Sequence, residues 1–236
     1  FDTEELVDHR SRRPVMHLVD GVNTGLTWPV IELRRGRDLD GNDVLLLSGA
    51  EPDVRWRAFV SDVLELARQL GVRMVVPLGA YPAPVPHTRA GRIATTATTP
   101  ELANRVGTVK GNLDVPAGVH GALERACADS GIPAVGVWAQ VPHYVSGMAY
   151  PAASGELVDA VALATGLRLD STALHDAARA MRVRLDELVT NNEEHVQMVR
   201  GLEASYDAET SATPPTTTLP SGDQLAAEIE RFLRDK

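Results

Sequence analysis

The stretch Ala122-Leu123-Glu124-Arg125-Ala126-Cys127-Ala128-Asp129-Ser130-Gly131-Ile132-Pro133-Ala134-Val135-Gly136-Val137-Trp138-Ala139 decides the fold. Its first part completes a helix that the spacing predicts from Gly118 to Ser130. Gly131 supplies a left-handed stop, and Ile132 to Ala139 predicts the next strand. Apolar runs without polar alternation suit strands covered on both faces, as in parallel sheets. The same unit stands earlier in the chain. From Asp53 to Leu70, Val54, Phe59, Val63, Leu66, Ala67 and Leu70 recur on one helical face, Gly71 stops the helix, and Val72 to Val76 follows as a strand. Helix–glycine–strand units in series predict an α/β core whose mostly parallel sheet is flanked by helices.

Outward from that core, the first 13 residues predict a charged arm or short helix. Val15 to Val19, Thr27 to Leu33 and Val44 to Leu47 have strand character, and Asp20-Gly21 and Asp40-Gly41 carry hairpin turn chemistry. Tyr81 to Pro116 is rich in Pro, Gly and Thr, with a strand-like stretch at Ile93 to Thr98 and a short helix near Pro100 to Val106. After Pro151 the pattern is helical only: Glu156 to Ala164, a helix capped by Asp170 or Ser171, and a third starting at Asn192. The expected divisions are an α/β core over 1–152 with a hairpin near 15–47, a helical lid over 153–206, a flexible linker over 207–220, and a terminal amphipathic helix over 221–236.

The 236 residues are 44% hydrophobic and 23% charged, ordinary values for a globular domain that needs no covalent staples. A formal charge of −9 argues against nucleic acid, whose affinity comes from neutralising phosphates. Cys127 is the single cysteine, so no disulfide forms within the chain. No run reaches membrane-spanning length and no signal segment is visible, so a cytoplasmic protein without membrane contact is expected.

Ligands of open α/β sheets sit at the carboxyl ends of strands, and three predicted strand ends here carry polar side chains. Glu51-Pro52-Asp53, Val85-Pro86-His87-Thr88-Arg89 and Val141-Pro142-His143-Tyr144 would then converge on one crevice. Glu51, His87 and His143 are the candidate acid–base residues, and Arg89, Thr88, Tyr144 and Gly118 the candidate ligand contacts. Each has a structural alternative. The histidines could bond backbone carbonyls, and Arg89 could tie loops by pairing with an acidic residue such as Glu51. Asp53 suits the dipole end of a helix, and the glycines of Gly118-Val119-His120-Gly121 could serve packing rather than an anion. A zinc site from the two histidines and Glu51 lacks any local ligand spacing, so no metal ligands are assigned. The phosphate-loop, dinucleotide and nucleophile-elbow patterns are missing from the sequence, and no cofactor is assigned.

Gly49-Ala50-Glu51-Pro52-Asp53-Val54-Arg55-Trp56, the run from Leu78-Gly79-Ala80 to Pro86-His87-Thr88-Arg89, and Trp138-Ala139-Gln140-Val141-Pro142-His143-Tyr144-Val145 resemble the signatures of the proteasome assembly chaperone 2 family, bacterial branch. Nearly the whole chain, including Leu219-Pro220-Ser221-Gly222-Asp223, is similar to actinobacterial members of unknown function. The resemblance implies a phosphorylase/hydrolase-like core, a β-hairpin insertion that aids homotrimer contact, and C-terminal helices lying as a lid over the crevice. It also implies an initial strand and a Gly/Asp loop not found before Phe1, so part of the sheet is expected outside this sequence. The chaperones of the family dock through a C-terminal hydrophobic-Tyr-X tail, which Phe232-Leu233-Arg234-Asp235-Lys236 does not match. Two functions follow as expectations. The first is a lidded pocket that binds or hydrolyses a small anionic metabolite, and the alternative is a non-enzymatic assembly chaperone or scaffold.

Overall fold

The computed structural model describes residues 1–104 and 113–211. A short helix α1 (Thr3–Leu6) precedes two antiparallel pairs: β1 (Val15–Val19) with β2 (Val22–Thr27), and β3 (Ile31–Arg37) with β4 (Asp43–Gly49). Both hairpin turns fall where the Asp-Gly pairs stand. Asp20 and Gly21 take positive φ values of 48° and 82°, and Gly41 takes 83°. Helix α2 (Trp56–Gln69) leads to β5 (Leu78–Ala83), β6 (Ile93–Ala97) and α3 (Pro100–Ala103). Helix α4 (Val119–Asp129) feeds β7 (Val135–Pro142), a 3₁₀ turn covers His143–Val145, and α5 (Pro151–Thr165), α6 (Thr172–Thr190) and α7 (Glu193–Ser211) follow.

The architecture is mixed α/β, but the sheet is not mostly parallel as the apolar runs predict. Its order is β5-β7-β6, with β5 parallel and β6 antiparallel to β7. The Thr-rich run Ile93–Ala97 returns along β7 because the Pro- and Gly-rich segment before it turns the chain back. The predicted strand Val72–Val76 also differs: the β5 ladder begins only at Leu78, and before it a single bridge joins Val75 to Ala134.

β7 is the centre of the molecule. Val135, Val137 and Ala139 are fully buried. Ala134, Cys127, Leu123 and Val119 join Phe59, Val60 and Leu64 of α2 in one cluster, while Val135 and Val137 pack with Leu102 and Ala160 in another. Cys127 is therefore a core residue, and burial pushes its thiol pKa up. A third cluster seats Leu185 of α6 against Ala139, Val141 and Val145.

Helix α2 starts at Trp56 rather than Asp53. Arg55 is left-handed (φ 58°), and Asp53 and Val54 donate their N–H groups to the Leu6 carbonyl. The Asp53 carboxylate accepts from the Asp8 N–H at 2.8 Å and pairs with Arg12 at 3.3 Å. That segment anchors the N-terminal arm instead of opening the helix. At the other end, α7 continues through Ser211, so residues 207–211 are helical where composition predicts a linker. The rest of that linker, 212–220, and the expected helix 221–236 lie outside the described residues, as do 105–112. Among the described residues no helix is long and apolar enough to cross a membrane.

Candidate functional site

Pro84 and Pro86 stiffen the chain as it leaves β5, and His87 turns inward with its side chain 1% exposed. The Tyr144 hydroxyl accepts the His87 backbone N–H at 2.8 Å and lies 2.6 Å from Nδ1, and Nε2 is 3.1 Å from Oδ1 of Asp186 on α6. An ionised carboxylate only accepts, so Nε2 carries the proton. In the neutral ring Nδ1 is then an acceptor, and the Tyr144 hydroxyl donates to it. Both imidazole nitrogens are occupied by protein. Burial pushes the Tyr144 phenol up, against the opposing bond from His87.

The next residues are held by α7. Thr88 Oγ1 donates to Glu203 at 2.5 Å. Arg89 places its fork on Asp207 with two bonds of 2.8 Å and reaches Glu203 at 3.0 Å. The hydrogen-bonded guanidinium holds Asp207 below its ordinary pKa and is itself raised. Arg92 lies 3.9 Å over the Tyr206 ring and bonds Glu209 at 2.5 Å and Thr210 at 2.9 Å. The Tyr206 hydroxyl donates to the Ala90 carbonyl at 2.8 Å. Arg89 thus ties the loop to α7 rather than to Glu51. The chain between β5 and β6 is clasped by the last two described helices.

The remaining candidates divide between two other places. His143 is exposed in the 3₁₀ turn, its ring 5.4 Å edge-on from Tyr144. Glu51 accepts the Val119 N–H at 2.7 Å and so caps α4, whose own N-cap Gly118 has no side chain for the task. A Cβ on Gly118 would stand 3.0 Å from the Glu51 carboxylate, so the capping side chain would have to shift slightly to make room. Glu51 and Gly118 meet each other, and His87, Thr88, Arg89 and Tyr144 meet each other. The two sets line different cavities: a groove of 680 Å³ that includes Glu51 and Gly118, and a pocket of 290 Å³ that includes His87 and Arg89. Among the described residues, no three His, Cys, Asp or Glu side chains are grouped to hold a metal ion.

The smaller pocket contains residues that spacing alone does not single out. Glu156 accepts the Gly91 N–H at 3.0 Å, and burial raises its pKa. His175 is 2.8 Å from Asp159, whose carboxyl is lowered first by its bond from Ser171. Tyr150, also lining, is pushed up to about 12 by burial. Arg179 and Arg182 complete the wall. The carboxylates that meet the β5–β6 loop do carry a faint signal: Glu203 and Asp207 stand four apart, on one helical face.

The model of the PAC2 family matches residues 1–189, most of the chain. The chain belongs to the PAC2 family. A Mycobacterium tuberculosis protein of unknown function is 37% identical, with a TM-score of 0.86 over 90% of this chain and 74% of its own. A Corynebacterium glutamicum protein of unknown function is 34% identical, with a TM-score of 0.83 over 89% and 78%. A second M. tuberculosis structure, described as a proteasome-assembly chaperone homologue, is 34% identical, with a TM-score of 0.77 over 84% and 85%. No curated protein matches the chain. This PAC2 protein therefore shares its fold with actinobacterial relatives, one of which is described as a homologue of an assembly chaperone.

Proposed function

We propose that this PAC2 protein is a non-enzymatic assembly factor that acts by binding other protein chains. The observation that carries the reading is the first hairpin. Every residue of β1 is exposed, and so is every residue of β2 but Gly25. Val15, Met16, Leu18, Val19, Val22 and Leu26 stand between 46% and 63% exposed. A lone two-stranded hairpin is marginal in water, and apolar groups on both its sides are stabilised only when something covers them. A protein partner does that. In this reading the hairpin is an insertion in a phosphorylase/hydrolase-like core, copies of the chain meet through it as a homotrimer, and α5 to α7 form the lid of a fold that no longer serves a substrate. The contact runs through the hairpin, and the protein works in the cytoplasm.

The saturation of His87, Thr88 and Arg89 by Tyr144, Asp186, Glu203 and Asp207 supports the same reading, because it leaves those residues little to offer a ligand. A second reading has its own observation. The pocket with Glu156, His175, Arg179 and Arg182 combines a carboxyl of raised pKa with two guanidinium groups, which suits a small anion. The test is a titration of the chain into separately purified actinobacterial proteasome α and β subunits, followed by native mass spectrometry. The assembly reading predicts a stoichiometric complex and faster ring formation, both lost in Leu18→Lys/Val22→Lys. No complex, together with a thermal shift on adding phosphate or a small carboxylate, would transfer the function to the pocket.

A further inference from the structure

The pocket of 290 Å³ differs from the loop beside it, because several of its polar side chains have bonding capacity left. His87 and Arg89 line it with their bonds already made to Tyr144, Asp186, Glu203 and Asp207. The Tyr150 hydroxyl makes no hydrogen bond among the described residues, and burial keeps the phenol protonated by pushing its pKa up to about 12. Arg182 stands 3.9 Å from Asp186, too far for a hydrogen bond. His175 spends only Nε2, on Asp159 at 2.8 Å, and Glu156 accepts one bond, from the Gly91 N–H at 3.0 Å.

The pocket has an acidic wall and a basic one. Helix α5 contributes Glu156, and α6 contributes Arg179 and Arg182. Arg179 is bonded to Asp176 on its own helix, which leaves Arg182 as the uncommitted guanidinium. The N-terminus of α5 opens on the same space: Pro151 and Ala152 line it, and the N-cap residue Tyr150 offers no side-chain bond to the first turn. Uncapped N–H groups and the positive end of the helix dipole favour a carboxylate there, beside the Tyr150 hydroxyl. Glu156 follows Ala152 on the same face of α5, one turn and about 6 Å along. His175 is held close by. A Cβ built on Gly155 would lie 3.0–3.3 Å from three atoms of the His175 ring, so the imidazole lies flat across the glycine. With Nε2 donating to the ionised Asp159, Nδ1 of the neutral ring is left as an acceptor. Ala178, Met181 and Leu185 supply the apolar remainder.

We propose that this pocket binds a free α-amino acid with an apolar side chain. Its carboxylate faces Tyr150, Arg182 and the start of α5, and its ammonium faces Glu156 and Nδ1 of His175. The two walls carry opposite charge, so a zwitterion satisfies both. A simple anion would instead meet the Glu156 carboxyl with nothing to offer it. The side chain of the amino acid lies against Ala178, Met181 and Leu185, and 290 Å³ accommodates a molecule of leucine's size. This ligand rests on the small-anion reading of the same pocket and narrows it; it does not depend on the contacts of the hairpin.

The test is calorimetric titration at mildly alkaline pH, where Glu156 is ionised, with L-leucine, its hydroxy-acid analogue and 4-methylpentanoate. The three share one carbon skeleton, and only leucine carries an ammonium. Leucine is expected to bind about tenfold tighter than either acid. Glu156→Gln keeps an acceptor for the Gly91 N–H and should remove that preference without weakening the two acids. Arg182→Gln, checked for fold by circular dichroism, should weaken all three by about tenfold; if it does not fold, the Glu156 variant decides alone. Equal binding of leucine and either acid overturns the zwitterion while leaving a small-anion site in place. Binding of none of the three overturns both. Leucine binding unchanged in the Glu156 variant also overturns the proposal, because the amino acid would then sit elsewhere.

Discussion

His87 is held at its backbone N–H and at both ring nitrogens, and its side chain is almost fully buried. Tyr144→Phe removes one hydroxyl but unmakes two bonds, and it leaves a buried N–H without a partner. The expected loss is about 1–3 kcal/mol in urea denaturation, with no gain or loss of any bound ligand. His87→Ala should cost at least as much, and the double variant less than the sum of the two, since both remove one network. Glu51→Ala should cost about 0.5–2 kcal/mol through the lost cap on α4, whereas Glu51→Gln keeps an acceptor for the Val119 N–H and should fall near wild type. A catalytic Glu51 would instead lose its function in both variants. Glu156 carries the pH dependence. Burial raises its pKa, so its contribution to stability is fully present below the ordinary value of 4.5 and is lost as pH rises through the raised one. Glu156→Gln should therefore remove a decline in stability that wild type shows toward neutral pH, read from urea midpoints across that range. Equal slopes in the two proteins would contradict the assignment.

At the scale of elements, most boundaries are legible from local chemistry. Gly71, Gly131 and Gly166 stop helices with φ values of 65°, 71° and 77°, and Asn192 caps α7 through its bond to the Glu194 N–H. What local chemistry does not carry is partnership. The start of β5 at Leu78 depends on which edges are paired, and the helical state of residues 207–211 depends on Arg89 and Arg92 lying over them. Composition there favours a linker, and long-range ion pairs override it. The candidate site was legible in the same limited sense. A Val-Pro pair precedes both His87, which is buried and bonded, and His143, which is exposed, so that spacing does not tell them apart. The residues that fix His87, Asp186 and Tyr144, are 99 and 57 positions away. Arg89→Gln is expected to loosen the clasp: hydrogen exchange over 199–209 should rise while that of β7 stays as in wild type. High salt should act in the same direction, because these pairs are partly exposed and screened. Uniform change across the chain would contradict a local clasp.

For the whole molecule, the decisive contrast is between a bonded cluster around His87 and an uncovered apolar hairpin. His87, Thr88 and Arg89 are bonded to the helices that cover them, whereas His143 stands exposed. Apolar residues that would serve a core stand in water on β1 and β2. That distribution suits a molecule whose work is done by its surface. Sedimentation velocity over a wide concentration range tests the claim most directly, with wild type beside Leu18→Lys/Val22→Lys. The account predicts that wild type self-associates to a trimer and that the variant stays monomeric with an unchanged circular dichroism spectrum. Identical monomers at every concentration, with the hairpin amides exchanging freely in both, would contradict it.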